Sequence, residues 1–217
     1  MSRVAERREF RIDAEGPLGG SVSLPGDLVV PQSARGIVLF AHGSGSSRSS
    51  SRNVQVASTL SQAGLGTLLF DLLTPEESRD RRLVFDTPLL AERLLTAAGW
   101  VEDRLPDLSL GHFGASTGAA AALWAAAEPA HDVRAIVSRG GRPDLAGERL
   151  ELVTAPTLLI VGGADLQVLE LNRQAQRMMR CPSELVVIPG AGHLFEEPGA
   201  LERVSELATE WFVRYLT

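Results

Sequence analysis

At 217 residues, 44% of them apolar, the chain carries enough material for one well-buried core and too little length for two ordinary domains, so a single domain over residues 1–217 is expected. A net charge of −6 excludes general attraction to nucleic acid, and a lone cysteine, Cys181, excludes an internal disulfide and any multi-cysteine zinc site. The charged amino terminus does not read as a signal peptide and no stretch approaches the ~20 apolar residues that span a bilayer, which points to a soluble, cytoplasmic protein without a membrane partner.

The first elements read as an edge. Polar and apolar residues alternate from Arg7 to Ile12 and again from Gly19 to Leu24, after a Gly16-Pro17 turn signal, which predicts an antiparallel strand pair. Arg35 to Ala41 differs in kind: a continuous apolar run bounded by turn residues is the pattern of a parallel strand buried on both faces. It ends in His42-Gly43-Ser44-Gly45-Ser46-Ser47. A Gly/Ser loop in that position can cradle phosphate, bind an oxyanion or merely connect; the absence of G-x-x-x-x-G-K-S/T and of G-x-G-x-x-G speaks against phosphate. His42 is expected to hold this loop in shape.

A helix over Val54 to Ala63 and a buried strand over Leu65 to Phe70 follow, and then the longest polar interval, Leu72 to Asp86, which reads as a solvated loop. Apolar spacing at Leu89, Leu90, Leu94, Leu95 and Trp100 predicts a helix over Pro88 to Trp100. Next, the strand residues Leu108, Leu110 and Phe113 run into Gly114-Ala115-Ser116-Thr117-Gly118 and an alanine-rich helix that reaches Ala127. This is G-x-S-x-G in strand-turn-helix context, a sharp turn that exposes the hydroxyl of Ser116 and has no room for a Cβ two residues to either side. Of the neighbouring histidines, His112 is expected to pack near the strand and His131 to lie on a surface loop.

The alternation continues with a strand at Val133 to Val137, a short helix near Leu145 to Leu150, strands at Thr157 to Val161 and Glu184 to Ile188, and helices over Leu166 to Met179 and Ala200 to Leu216. Together these predict an α/β fold: a mostly parallel central sheet of about eight strands with helices on both faces. Only Ser138 to Pro156 separates two of the late strands, which leaves no room for a cap domain and predicts a shallow, open site.

A serine hydroxyl needs a base, and the base needs an orienting group. Two later strand ends offer candidates on the same edge of the sheet. One strand ends in Gly162-Gly163-Ala164-Asp165 and the other in Pro189-Gly190-Ala191-Gly192-His193. Taken singly, Asp165 could simply cap the following helix and His193 could be a surface histidine. Asp71 and Asp144 are the alternative carboxylates. The loop Ser138-Arg139-Gly140-Gly141-Arg142-Pro143 also leaves this edge, so Arg139 or Arg142 could pair with an anionic substrate group.

The elbow Gly114 to Gly118, the His42 to Gly45 loop, the Asp165 turn and the His193 turn, in this order, resemble an α/β-hydrolase, and the short uncapped chain most resembles the dienelactone hydrolase-like group. The resemblance covers nearly the whole chain. It implies a Ser116-His193-Asp165 triad, an oxyanion hole from the backbone N–H groups of Ser44 and Thr117, no metal or cofactor, and hydrolysis of a small-molecule carboxylic ester, lactone or thioester through an acyl-enzyme. Dienelactone hydrolases proper carry cysteine at the elbow where this chain has Ser116, a departure that weakens the case for a lactone substrate and leaves ester chemistry intact. Acyl transfer to another acceptor, or a binding protein that kept the fold and lost catalysis, are the rival readings.

Overall fold

The computed structural model describes residues 7–217; residues 1–6, part of the charged terminus read above, lie outside the described residues. Eight strands form one sheet: β1 (Arg7–Glu15), β2 (Ser21–Val29), β3 (Gly36–Ala41), β4 (Gly66–Phe70), β5 (Ser109–Ala115), β6 (Val133–Arg139), β7 (Thr157–Gly162) and β8 (Ser183–Ile188). Their order is β1-β2-β4-β3-β5-β6-β7-β8. β1 pairs antiparallel with β2, and β2 with β4; every later pairing is parallel.

The expected edge hairpin is therefore present, but β2 runs past Leu24 to Val29. Pro25 does not end it because Pro25 precedes the stretch, Gly26 to Val29, over which β2 pairs with its second neighbour, so the missing N–H interrupts no ladder there. β3, β4 and β7 are buried along their whole length, as continuous apolar runs between two helical layers must be.

Helices α1 (Ser51–Gln62) and α6 (Ala200–Leu216) cover one face, where Val56, Leu60, Val204 and Phe212 pack on Val38, Phe40 and Phe113. The other face carries α3 (Thr87–Glu102), which follows a short helix α2 (Arg81–Val84), together with α4 (Thr117–Ala127) and α5 (Leu166–Met178). Five alanines of α4 are fully buried, and such small side chains let this helix lie close against the sheet. The segment expected as a short helix near Leu145 to Leu150 is a 3₁₀ stretch, Pro143–Leu152, broken at Gly147. No helix among the described residues is long and apolar enough to cross a membrane.

Leu72 to Asp86 is not the solvated loop its charges suggest. It contains a 3₁₀ turn at Glu77–Arg79 and the helix α2, and it buries Leu72, Leu73 and Glu77. The Glu77 carboxylate accepts from Thr74 N–H at 2.8 Å and from the wholly buried Arg93 guanidinium at 2.8 Å. One charge of the run, Glu77, is thus consumed internally and pins the segment against α3, while Glu76, Arg79, Arg81 and Arg82 stay exposed as expected.

Parallel register brings the functional loops together. Ala41 of β3 lies beside Gly114 of β5, Ala115 beside Arg139 of β6, Arg139 beside Ile160 of β7, and Gly162 beside Ile188 of β8. The loops that leave these strand ends converge on one edge of the sheet, the ligand-binding edge of open α/β folds.

Candidate active site

Ser116 sits between β5 and α4 with φ 51° and ψ −121°, a conformation that L-residues rarely adopt and that costs of order 1–3 kcal/mol. The surroundings enforce it. A Cβ on Gly114 would lie 2.4 Å from the backbone of Ala119, and one on Gly118 would lie 2.2 Å from the Ala41 carbonyl oxygen, so only glycine lets strand, helix and neighbouring strand close up around the turn. Ser116 N–H donates to the Arg139 carbonyl at 3.2 Å, and the Ser116 carbonyl accepts from Arg142 N–H at 3.0 Å.

Asp165 and His193 are joined. Asp165 is the N-cap of α5: Oδ1 accepts from Val168 N–H at 3.4 Å, while Oδ2 lies 2.7 Å from His193 Nδ1. One carboxylate thus makes both contacts read from the sequence, to the helix start and to His193. With an ionised carboxylate as its partner, Nδ1 must carry the proton, which leaves Nε2 as the basic nitrogen. The loop after β6 lies between Ser116 and His193, because the Arg139 carbonyl receives the Ser116 N–H while a Cβ on the adjacent Gly140 would stand 3.1 Å from the His193 carbonyl. The bond to Asp165 is the one side-chain hydrogen bond of His193 among the described residues; none joins Ser116 Oγ to the ring.

The alternative carboxylates are otherwise engaged. Arg48 holds Asp71 through its backbone N–H at 2.7 Å and its guanidinium at 2.6 Å, and also reaches Asp27 at 3.3 Å. Asp144 takes two bonds from Arg142, at 2.8 and 2.7 Å, and these hold the Arg142 pKa above its ordinary value. Arg142 is therefore spoken for. Arg139 is not: only 7% exposed, it donates to Asn53 Oδ1 at 3.3 Å, stands 5.9 Å from the Phe195 ring centre, and has no carboxylate partner among the described residues. Burial, and then the neighbouring Arg52 charge, push its pKa down to about 10, so it remains a cation at neutral pH.

His42 ties the Gly/Ser loop down. Its Nε2 accepts from Leu72 N–H at 3.1 Å and its Nδ1 lies 3.0 Å from the Gly43 carbonyl, which fixes Nδ1 as the protonated nitrogen. Burial lowers its pKa, in keeping with a ring that must stay neutral to accept. A Cβ on Gly43 would lie 3.0 Å from Ser116 Cβ, so this loop abuts Ser116. The backbone N–H of Ser44, expected to stand free for an oxyanion, donates instead to Thr117 Oγ1 at 2.9 Å.

His112 is wholly buried beside the Ala122 carbonyl, and its pKa falls to about 4 through desolvation. His131, expected on a surface loop, is half-buried and pairs with Glu102 at 2.7 Å. The Cys181 thiol stands 3.8 Å from Thr157 Oγ1, and burial raises its pKa, consistent with a packed rather than a nucleophilic group.

The segment after β4 walls a cavity of about 320 Å³, where Leu73, Pro75, Val84 and Leu90 face His42 and Gly43. The cavity meets the candidate site at Gly43, the residue that abuts Ser116. In the sequence the apolar side chains of this segment are masked by the charges among which they are scattered. Arg93 was the available signal, a cation on the same helical face as Leu89, Leu90 and Leu94.

No family model matches the chain. A crystal structure of a dienelactone hydrolase from Anabaena variabilis is 54% identical, covers 97% of this chain and 99% of its own, and superposes with a TM-score of 0.90. The chain belongs to the α/β-hydrolase superfamily, in the dienelactone hydrolase group. The esterase Est1E from Butyrivibrio proteoclasticus shares the hydrolase fold at 17% identity, with a TM-score of 0.79 over 95% of this chain and 98% of its own. Two curated Mycobacterium tuberculosis proteins, both named "putative phosphoribosyl transferase", are 60% identical over 202 residues, or 92% of this hydrolase chain. This chain spans 45% of their length, so more than half of each relative lies outside the match.

Proposed function

We propose that this protein is a serine carboxylic-ester hydrolase that forms an acyl-enzyme on Ser116. His193 takes the Ser116 proton as base and returns it to the leaving group as acid, and Asp165 holds the imidazole tautomer and stabilises the imidazolium. The observation that carries this reading is the 2.7 Å Asp165–His193 contact at the sheet edge where Ser116 is held in a strained turn. The phosphoribosyl transferase name belongs to relatives more than twice as long as the stretch matched here, and none of the site geometry above calls for a phosphoribosyl donor.

The cavity beside Gly43 supports a small acyl group. Its volume lies at the lower end of the ~300–1,000 Å³ usual for ligand pockets. Each further CH₂ buried against Leu73, Pro75, Val84 and Leu90 should return about 0.8 kcal/mol, roughly fourfold in kcat/KM, until the space is filled. Across p-nitrophenyl acetate, butyrate, octanoate and palmitate, kcat/KM is expected to rise to butyrate and then flatten or fall. A continued steep rise to palmitate would contradict the small-acyl reading, and no turnover of any member would contradict the ester hydrolase itself.

Arg139, rather than Arg142, is the cation available to an anionic substrate group. If it serves that role, Arg139→Met should lower the ratio of kcat/KM for carboxylate-bearing over neutral esters by ~10-fold or more, the scale of a lost charge-assisted hydrogen bond. An unchanged ratio would leave Arg139 as a cation that only packs beneath Phe195.

A further inference from the structure

Thr117 is 5% exposed and directly follows the nucleophile, at the first position of α4, where a backbone N–H has no partner within the helix. Its hydroxyl oxygen accepts the Ser44 N–H at 2.9 Å. A hydroxyl has one proton to give as well as lone pairs to receive with. Among the described residues the Thr117 hydroxyl donates to no acceptor. Rotating the side chain away would give up this hydrogen bond, which orients the oxygen from the loop side.

We propose that the Thr117 hydroxyl is itself an oxyanion donor: it receives the Ser44 N–H and gives its own proton, as a hydrogen bond and without transfer, to the oxygen of the tetrahedral intermediate. The Thr117 N–H supplies the second donor. The inference rests on Ser116 being the nucleophile. An N–H that feeds an O–H polarises it, so the relayed donor strengthens as negative charge develops on the acceptor. A bond to an ionised acceptor is also roughly twice as strong as a neutral one, which favours the transition state over the ground-state carbonyl. Ser44 then acts one bond removed from the substrate, and Thr117 touches it twice.

The opposite arrangement, in which the hydroxyl merely occupies the Ser44 N–H until substrate displaces it, predicts the opposite sign. Thr117→Val keeps the shape, removes the proton and frees the Ser44 N–H. Under the relay, kcat on p-nitrophenyl acetate should fall about 10²-fold with KM little changed, the cost of one oxyanion donor. Inhibition by an alkyl trifluoromethyl ketone, whose hemiketal places O⁻ in the hole, should weaken by a similar factor, and Thr117→Ser should restore both to near the parent values. Turnover of Thr117→Val equal to or faster than the parent would overturn the relay. So would a loss that Thr117→Ser does not rescue, or a fall in kcat with unchanged inhibitor affinity. Thr117→Ala gives the same comparison should the valine variant not fold. Labelling of Ser116 by a fluorophosphonate in the parent protein separates the two levels. If it is absent, the relay falls with the nucleophile; if it is present, Thr117→Val decides the relay alone.

Discussion

Ser116→Ala is expected to lower kcat by ~10⁴ or more and to abolish covalent labelling by a fluorophosphonate, with the circular dichroism spectrum unchanged. The loss is that large because in the proposed mechanism His193 and Asp165 act only through the Ser116 oxygen; without it they have no nucleophile to activate, and what remains is the oxyanion donors and binding. Folding should be indifferent to the change, since no side-chain hydrogen bond from Ser116 holds the start of α4. Strain offers an independent reading of the same turn. Alanine inherits the φ of 51°, whereas glycine adopts it freely, so Ser116→Gly should be more stable than Ser116→Ala by about 1 kcal/mol or more. Labelling that persists at full stoichiometry in Ser116→Ala would remove Ser116 from the mechanism. Equal melting temperatures for the alanine and glycine variants would show that the turn is relaxed.

The parts legible in the sequence are those where one physical rule acts alone. β3, β4 and β7 were readable because a strand buried on both faces has to be apolar throughout. The turn at Ser116 was readable because its glycines answer to local sterics. Asp165 and His193 could be placed at one edge because parallel strands put their carboxyl ends together.

What escaped depends on partners distant in the chain. Arg93 and Glu77 pair inside the protein, so a segment whose other charges are solvated also turns Leu73 and Val84 toward a cavity. Arg139 and Arg142, equivalent in the motif, separate once Asp144 is seen to take one and no carboxylate the other. The Ser44 N–H looked free because the Thr117 hydroxyl that receives it lies 73 positions away. Backbone donors carry no side-chain signature, so their occupancy appears only in the folded chain.

Asp165→Asn is expected to cost ~10³–10⁴ in kcat while leaving the fold intact. Asparagine caps a helix as well as aspartate does, so α5 should keep its start through the Val168 N–H. The imidazole fares differently. An amide nitrogen turned toward Nδ1 can only donate, which moves the ring proton to Nε2 and removes the lone pair that would receive the Ser116 proton. Even with the amide oxygen turned inward, a neutral partner stabilises the imidazolium far less than the carboxylate 2.7 Å away. Neither alternative carboxylate is free to substitute, because Arg48 holds Asp71 and Arg142 holds Asp144. In the parent enzyme kcat/KM should rise with pH as the base loses its proton and fall as acid restores it. That limb can be assigned by elimination. His42 is neutral by its hydrogen bonds, with Nε2 accepting from Leu72 N–H and burial lowering its pKa, and burial takes the pKa of His112 to about 4. His131 precedes β6 and therefore lies at the opposite edge of the sheet. His193→Ala should accordingly leave no acid limb in the residual rate. The decisive measurement is the pH profile of kcat/KM for the parent, Asp165→Asn and His193→Ala on one neutral ester. A nearly silent Asp165→Asn, or an acid limb that survives in His193→Ala, would mean that the 2.7 Å pair caps a helix and orders a loop without serving the chemistry.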